Sequence, residues 1–266
     1  MSGMANENGL MMIRKVAELL TFLARGEATV AEIAEATGEP RSSVYRLLSG
    51  LQSEDLVERG ERRGRFRLGM KLLPLGAAVV ARFDERKLAQ PVMERLHDLT
   101  GETVFLCVPR RDEAVCVERL AGKRVQSLAL RLGGSLPLHA GAASRAMLAY
   151  REEGEWDDYI RRNSPLAGFT PSTVVEPAGL RAVLAKTREN GLAVSDQDVT
   201  VGVAALGVAI TDYKGQVRGA LSISGLRESV LGDSFEQWSD ALIAAGHEVS
   251  RALGCELAGR QIADFG

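Results

Sequence analysis

The sequence predicts an α+β chain in two unequal parts, on three observations. From Met12 to Leu51 apolar residues recur at helical spacing, broken by capping and turn signals. An arginine-rich stretch follows in which Arg65 and Arg67 alternate with Phe66 and Leu68, the period of a strand. Beyond Thr103, β-rich runs joined by tight turns alternate with helical stretches, which indicates a largely antiparallel sheet with flanking helices. The expected divisions are 8–70 for a small helical domain, 71–84 for a joining helix and 85–266 for a larger domain.

Met12, Val16, Leu19, Leu20 and Leu23 define a first amphipathic helix that ends at Gly26. Thr29 with Glu32 three residues on is a capping box, opening a second helix that carries Val30, Ile33 and Ala34. Gly38 suits the turn, and Pro40 fits the first turn of a third helix, where its missing N–H is no loss. On that third helix Val44, Leu47, Leu48 and Leu51 form a buried stripe. Ser42, Tyr45, Arg46 and Ser49 share the opposite face, with no acid before Glu54. Hydroxyls, a phenol and a guanidinium on one exposed face can reach base edges and phosphates in a major groove, as in a helix-turn-helix. Five arginines and one acid then fall between Arg59 and Arg67, with Gly60 and Gly64 bracketing a hairpin tip. Such a basic wing attracts a phosphate backbone. The candidate DNA contacts are Arg41, Ser42, Ser43, Tyr45, Arg46 and Ser49 on the helix, and Arg62, Arg63, Arg65 and Arg67 on the wing.

Composition bounds the alternatives. Lys and Arg number 33 against 35 Asp and Glu, a net charge of −2, so a nucleic-acid surface has to be local. The N-terminus lacks the apolar core of a secretory signal, and the longest nearly apolar stretches, 72–81 and 201–210, are too short to span a bilayer. A cytoplasmic location without a membrane partner is expected. Cys107, Cys116 and Cys255 lack metal or redox spacing, and His97, His139 and His247 stand apart, so no metal or cofactor is expected. Nucleotide-binding and nucleophile-elbow motifs are absent, which argues against an enzyme.

In the second part Lys71–Arg82 is an apolar helix interrupted by Pro74 and Gly76, followed by the charges Asp84–Lys87. A helix over Leu88–Leu99 places Pro91 in its first turn. Thr103–Val108 and Glu113–Glu118 form a hairpin. Reflection about its turn sets Cys107 opposite Cys116, close enough for a disulfide, although two reduced thiols packed as small hydrophobes are the simpler expectation. Gln126–Leu132 is expected as a strand, with a helix starting in the stretch from Leu136. Helical pieces flank the loop Asn163–Thr173, the second from Pro177 to Gly191. Strands are expected at Leu192–Ser195, Val203–Thr211 and Val217–Ser224, and a final helix is capped at Asp233–Glu236 and runs to about Leu253.

The stretch from Thr29 to Gly69 resembles the winged helix-turn-helix of the IclR family of bacterial transcriptional regulators, and the likeness continues over almost the whole chain. Leu136–Ser144 resembles the family's pocket-edge segment, Gly191–Ile210 its signature region in the spacing of Gly191, Asp196 and Gly202, and Ala220–Gly225 the strand lining its effector pocket. The resemblance implies a linker helix, a GAF/profilin-like effector domain, and a homodimer or homotetramer bound to double-stranded operator DNA. It places a small-molecule effector against Gly141, Ala142, Ser195, Ala205, Ser222 and Ser224. Gly141 and Ala142 at a helix start and the two serines, two apart on one strand face, suit a carboxylate. Relatives that bind small keto acids tend to carry Cys at the position of Ala205 and Asp at that of Ser195. Their replacement here makes the pocket less polar and favours an aromatic or bulkier acid as much as a small one.

Overall fold

The computed structural model describes residues 2–80, 84–123 and 130–255, and it divides into two compact units, Met1–Arg82 and Phe83–Gly266. The first unit runs α1 (Ser2–Leu23), β1 (Ala28–Thr29), α2 (Val30–Thr37), α3 (Arg41–Ser53), β2 (Val57–Arg59), β3 (Arg65–Leu68) and α4 (Leu72–Val80). Leu19, Ile33, Val44, Leu48, Val57 and Phe66 meet in one core, so the helical stripes and the apolar face of the hairpin pack together. The capping box is formed: Thr29 N–H donates to Glu32 Oε2 at 2.7 Å, and Glu32 N–H to Thr29 Oγ1 at 3.3 Å. Pro40 lies one step earlier than expected. It is the N-cap of α3, extended at φ −58° and ψ 141°, with its carbonyl accepting from Ser43 and Val44 N–H at 2.9 and 3.1 Å. The short strand β1 pairs with β3 and makes the wing a three-stranded sheet, ordered β1-β3-β2.

The second unit runs α5 (Asp84–Thr100), β4 (Thr103–Arg110), β5 (Glu113–Leu120), β6 (Ser135–Pro137), α6 (Ala142–Ala149), α7 (Glu153–Asn163), α8 (Pro177–Asn190), β7 (Ala193–Asp196), β8 (Val203–Thr211), β9 (Val217–Leu226), α9 (Arg227–Val230) and α10 (Phe235–Ala252). Its six strands pair antiparallel throughout in the order β6-β5-β4-β9-β8-β7. One face packs under α6, α7 and α8 through Phe105, Met147, Tyr159 and Leu184. The other packs against α5 and α10 through Met93, Leu206, Ile223 and Leu242.

Several boundaries differ from expectation for physical reasons. The charges Asp84–Lys87 form the first turn of α5, so Pro91 lies inside the helix rather than in its first turn. Of the strand expected at Gln126–Leu132, residues 126–129 lie outside the described residues, and Leu130–Leu132 belong to no strand. The edge strand comes after the Gly133-Gly134 turn instead, with Ser135, Leu136 and Pro137 opposite Val115, Ala114 and Glu113. Pro137 is tolerated there because β6 is an edge. The helix expected from the same stretch therefore begins only at Ala142. Helix α10 starts where anticipated, but Ser234 makes no side-chain capping bond; its carbonyl accepts Trp238 N–H at 2.9 Å. Cys107 does oppose Cys116, and both are buried free thiols. No helix among the described residues is long and apolar enough to cross a membrane.

Candidate functional sites

Helix α3 turns Arg41, Ser42, Tyr45, Arg46 and Ser49 outward, and Tyr45 keeps 59% of its surface exposed. Ser43 departs from this set. It is half-buried and hydrogen-bonds Glu39, whose carboxylate also holds Lys15 of α1 at 2.8 Å; both contacts lower the Glu39 pKa. The wing divides its arginines in two. Arg62 and Arg63 are exposed at the tip, with no acidic partner among the described residues. Arg65 instead donates to Glu27 O at 2.8 Å and to Glu32 Oε1 at 3.2 Å, while Arg67 Nε donates to Glu58 Oε1 at 2.7 Å. The Arg65 contacts fasten the hairpin to the loop before β1 and to α2, Arg67–Glu58 ties β3 to β2, and together they neutralise much of the strand charge that alternation alone assigns to a phosphate-facing surface. Arg59 covers the Phe66 ring at 4.5 Å.

In the second unit a cleft of about 490 Å³, its open mouth included, lies where α6 meets the sheet. Gly141, Ala142, Ser195, Ala205, Ser222 and Ser224 all line it. Strand register explains the convergence. Ser195 pairs with Ala205 and Ala205 with Ser224, a single rung across β7, β8 and β9. Ser222, opposite Gly207 and Phe105, belongs to the next rung on that face. A Cβ on Gly207 would come within 2.5 Å of the Ala142 carbonyl carbon, so this glycine lets α6 rest directly on the strand. Ser222 and Ser224 are 4% and 7% exposed, and their hydroxyls have no partner among the described residues. Phe105, Leu130, Leu136, Val199 and Val203 supply apolar wall.

Two expected donors are already engaged. Gly141 N–H donates to Asp198 Oδ2 at 3.2 Å, and the Ser195 hydroxyl hydrogen-bonds Asp198 Oδ1. Arg145 Nη1 lies 2.8 Å from the same carboxylate, and its Nη2 donates to Val194 O. Burial lowers the Arg145 pKa, and the Asp198 charge opposes that. The anion-binding capacity of the helix start thus falls to the N–H groups of Ala142, Ala143 and Ser144, which find no acceptor among the described residues. His139 is a brace. Its Nε2 lies 2.8 Å from Ala167 O, an acceptor only, so Nε2 carries the proton and Nδ1 accepts from the Tyr159 hydroxyl at 2.8 Å. Burial lowers the His139 pKa and pushes the Tyr159 phenol up to about 12.

A helix-turn-helix with an exposed polar stripe, joined in one chain to a serine-floored cleft, is matched by two family descriptions. Residues 13–61 match "IclR helix-turn-helix domain", and residues 77–251 match "Bacterial transcriptional regulator IclR C-terminal". The chain belongs to the IclR family. It is 30% identical over 251 residues to the HTH-type transcriptional regulator KipR of Bacillus subtilis, covering 94% of this chain and 99% of KipR. The crystal structure of Thermotoga maritima IclR superposes with a TM-score of 0.72 at 30% identity, over 92% of this chain and 99% of that one. An IclR homologue from Microbacterium hydrocarbonoxydans, crystallised with 4-hydroxybenzoate, gives 0.76 at 26% identity, over 91% and 99%. As an IclR-family member this protein is a DNA-binding transcription regulator, not an enzyme.

Within this IclR-family pocket, sequence reasoning missed Asp198 and Arg145. A usable signal existed for Arg145. It is the lone charge in the small, apolar run Ala142–Ala149, and a helix buried on all sides forces any charge within it to find a partner. Asp198 had none, because one more acid in a polar loop looks like a solvated side chain.

Proposed function

We propose that this regulator changes its operator affinity when a small organic or aromatic acid binds the cleft. In this reading 8–70 contacts the operator, 71–84 links, and 85–266 binds the effector and assembles the chain as a homodimer or homotetramer. The observation that carries the reading is that Ser222 and Ser224 line the same apolar-walled cleft as the start of α6, whose first N–H groups find no acceptor among the described residues. Those neutral donors suit one carboxylate, and the walls suit a ring or chain attached to it. DNA contact is assigned to the exposed α3 stripe and the wing tip, with Arg65 and Arg67 shaping the wing from within.

The test is isothermal titration of the full-length protein with 4-hydroxybenzoate and related aromatic monocarboxylates, beside binding to duplexes selected from a random pool. The parent should bind at least one such acid and change its DNA affinity by roughly 5- to 150-fold, a typical coupling between sites. A double Ser222→Val, Ser224→Val variant should keep the unliganded DNA affinity and lose both acid binding and response. Normal acid binding by that variant would put the effector elsewhere.

A further inference from the structure

We propose that Asp198 sets the charge this pocket accepts, admitting ligands with one carboxylate and turning away dicarboxylates. The inference rests on the effector-pocket reading above. Asp198 is 2% exposed, and its carboxylate is held by three groups: Gly141 N–H, Arg145 Nη1 and the Ser195 hydroxyl. Gly141 and Ser195 are themselves cleft-lining residues. One fixed anion therefore stands beside the cleft before any ligand arrives.

The charges around the site then limit what can be added. Arg145 is matched one to one by Asp198, and the cleft lining among the described residues contains no Lys, Arg or His. What is left for a ligand is neutral: the N–H groups at the start of α6 and the hydroxyls of Ser222 and Ser224. Those donors, with the helix dipole worth about half a positive charge, can hold one carboxylate. A second carboxylate would be buried without a cation and near Asp198, and an unpaired buried charge costs far more than neutral donors return. Like charges roughly 6–12 Å apart near a protein surface alter affinity by roughly 10- to 100-fold. Arg145 Nε has no acceptor among the described residues, and Asp198 is the acidic partner of this guanidinium there. Neutralising Asp198 therefore leaves an uncompensated cation next to the cleft.

Two molecules of the same outline separate charge from shape: 4-carbamoylbenzoate carries one carboxylate and terephthalate carries two. Calorimetry on the full-length protein should show terephthalate binding at least about tenfold more weakly than 4-carbamoylbenzoate. Asp198→Asn keeps the size and an acceptor while removing the charge, and should narrow that gap by about the same factor. A purely structural role for Asp198 would not move the ratio of two ligands of equal shape. Should Asp198→Asn melt far below the parent, Val199→Lys at a half-buried lining position adds the missing cation instead and should narrow the same gap. Equal affinity of the parent for the two molecules overturns the charge rule while leaving the pocket in place. A gap unchanged in folded Asp198→Asn overturns the part given to Asp198, and a gap unchanged by Val199→Lys overturns the account of a missing cation. Binding of neither molecule by the parent overturns the acid-pocket reading and this inference with it.

Discussion

Arg62 and Arg63 stand at the wing tip without a carboxylate beside them, whereas Arg65 and Arg67, a few positions on, are each held by acids of their own domain. The two pairs should therefore fail differently when removed. Replacing Arg62 and Arg63 by alanine should weaken binding to every duplex alike and reduce the salt-dependence slope by roughly two units, one per phosphate contact. Replacing Arg65 should leave the slope nearly intact and lower the thermal stability of the DNA-binding unit, because it releases Glu27 and Glu32. Equal slope changes in the two variants would contradict this division. Arg46→Ala on the exposed face of α3 should cost about 1–3 kcal/mol on the selected duplex and relax preference at one base pair. Direct competition between the selected duplex and single-base variants measures both effects.

At the level of elements, the parts legible in advance were those specified by local periodicity or turn chemistry. The Thr29–Glu32 box, the β8–β9 turn and the Cys107–Cys116 register needed only neighbours in sequence. What escaped needed partners far along the chain. β1 is two residues long and exists because β3 lies beside it, and Pro91 is carried inside α5 by a helix that starts earlier than its apolar pattern. In the pocket, the serines came from the family resemblance, with their spacing of two setting both on one face, while Asp198 was not visible, since its role depends on Arg145, 53 positions earlier in the numbering. Two substitutions probe the elements themselves. Thr29→Ala should cost about 0.5–2 kcal/mol by removing the α2 cap, read as a lower melting temperature of the DNA-binding unit. Gly207→Ala should be worse for ligand binding than for the fold as a whole. The added methyl meets the Ala142 backbone, so α6 has to lift from the strand carrying the cleft, and calorimetry with the acid probe would register it first.

For the molecule as a whole, the exposed apolar residues of its first unit point to self-association. Leu10, Ile13, Leu73 and Leu75 are 62%, 68%, 64% and 56% exposed, more apolar surface than a helix is expected to leave in water. Light scattering at micromolar concentration should give a multiple of the 28.6 kDa chain, and a monomer alone would contradict the assembly proposed above. Stability should also respond to acid. His139 is buried neutral with its pKa lowered from 6.5, so its contribution is complete above that value and is lost as pH falls through the lowered one. His139→Gln should flatten that part of the stability–pH curve, measured by denaturant unfolding of the second unit. Strand β9 has one more consequence. Ser222 and Ser224 face the cleft while Leu221 and Ile223, which alternate with them along the strand, face the opposite core. Cleft lining and core packing are thus written on alternate letters of one short word. Under the proposed function, a library randomised at 205, 222 and 224 alone could be searched for new effectors with the scaffold intact, a practical starting point for building biosensors.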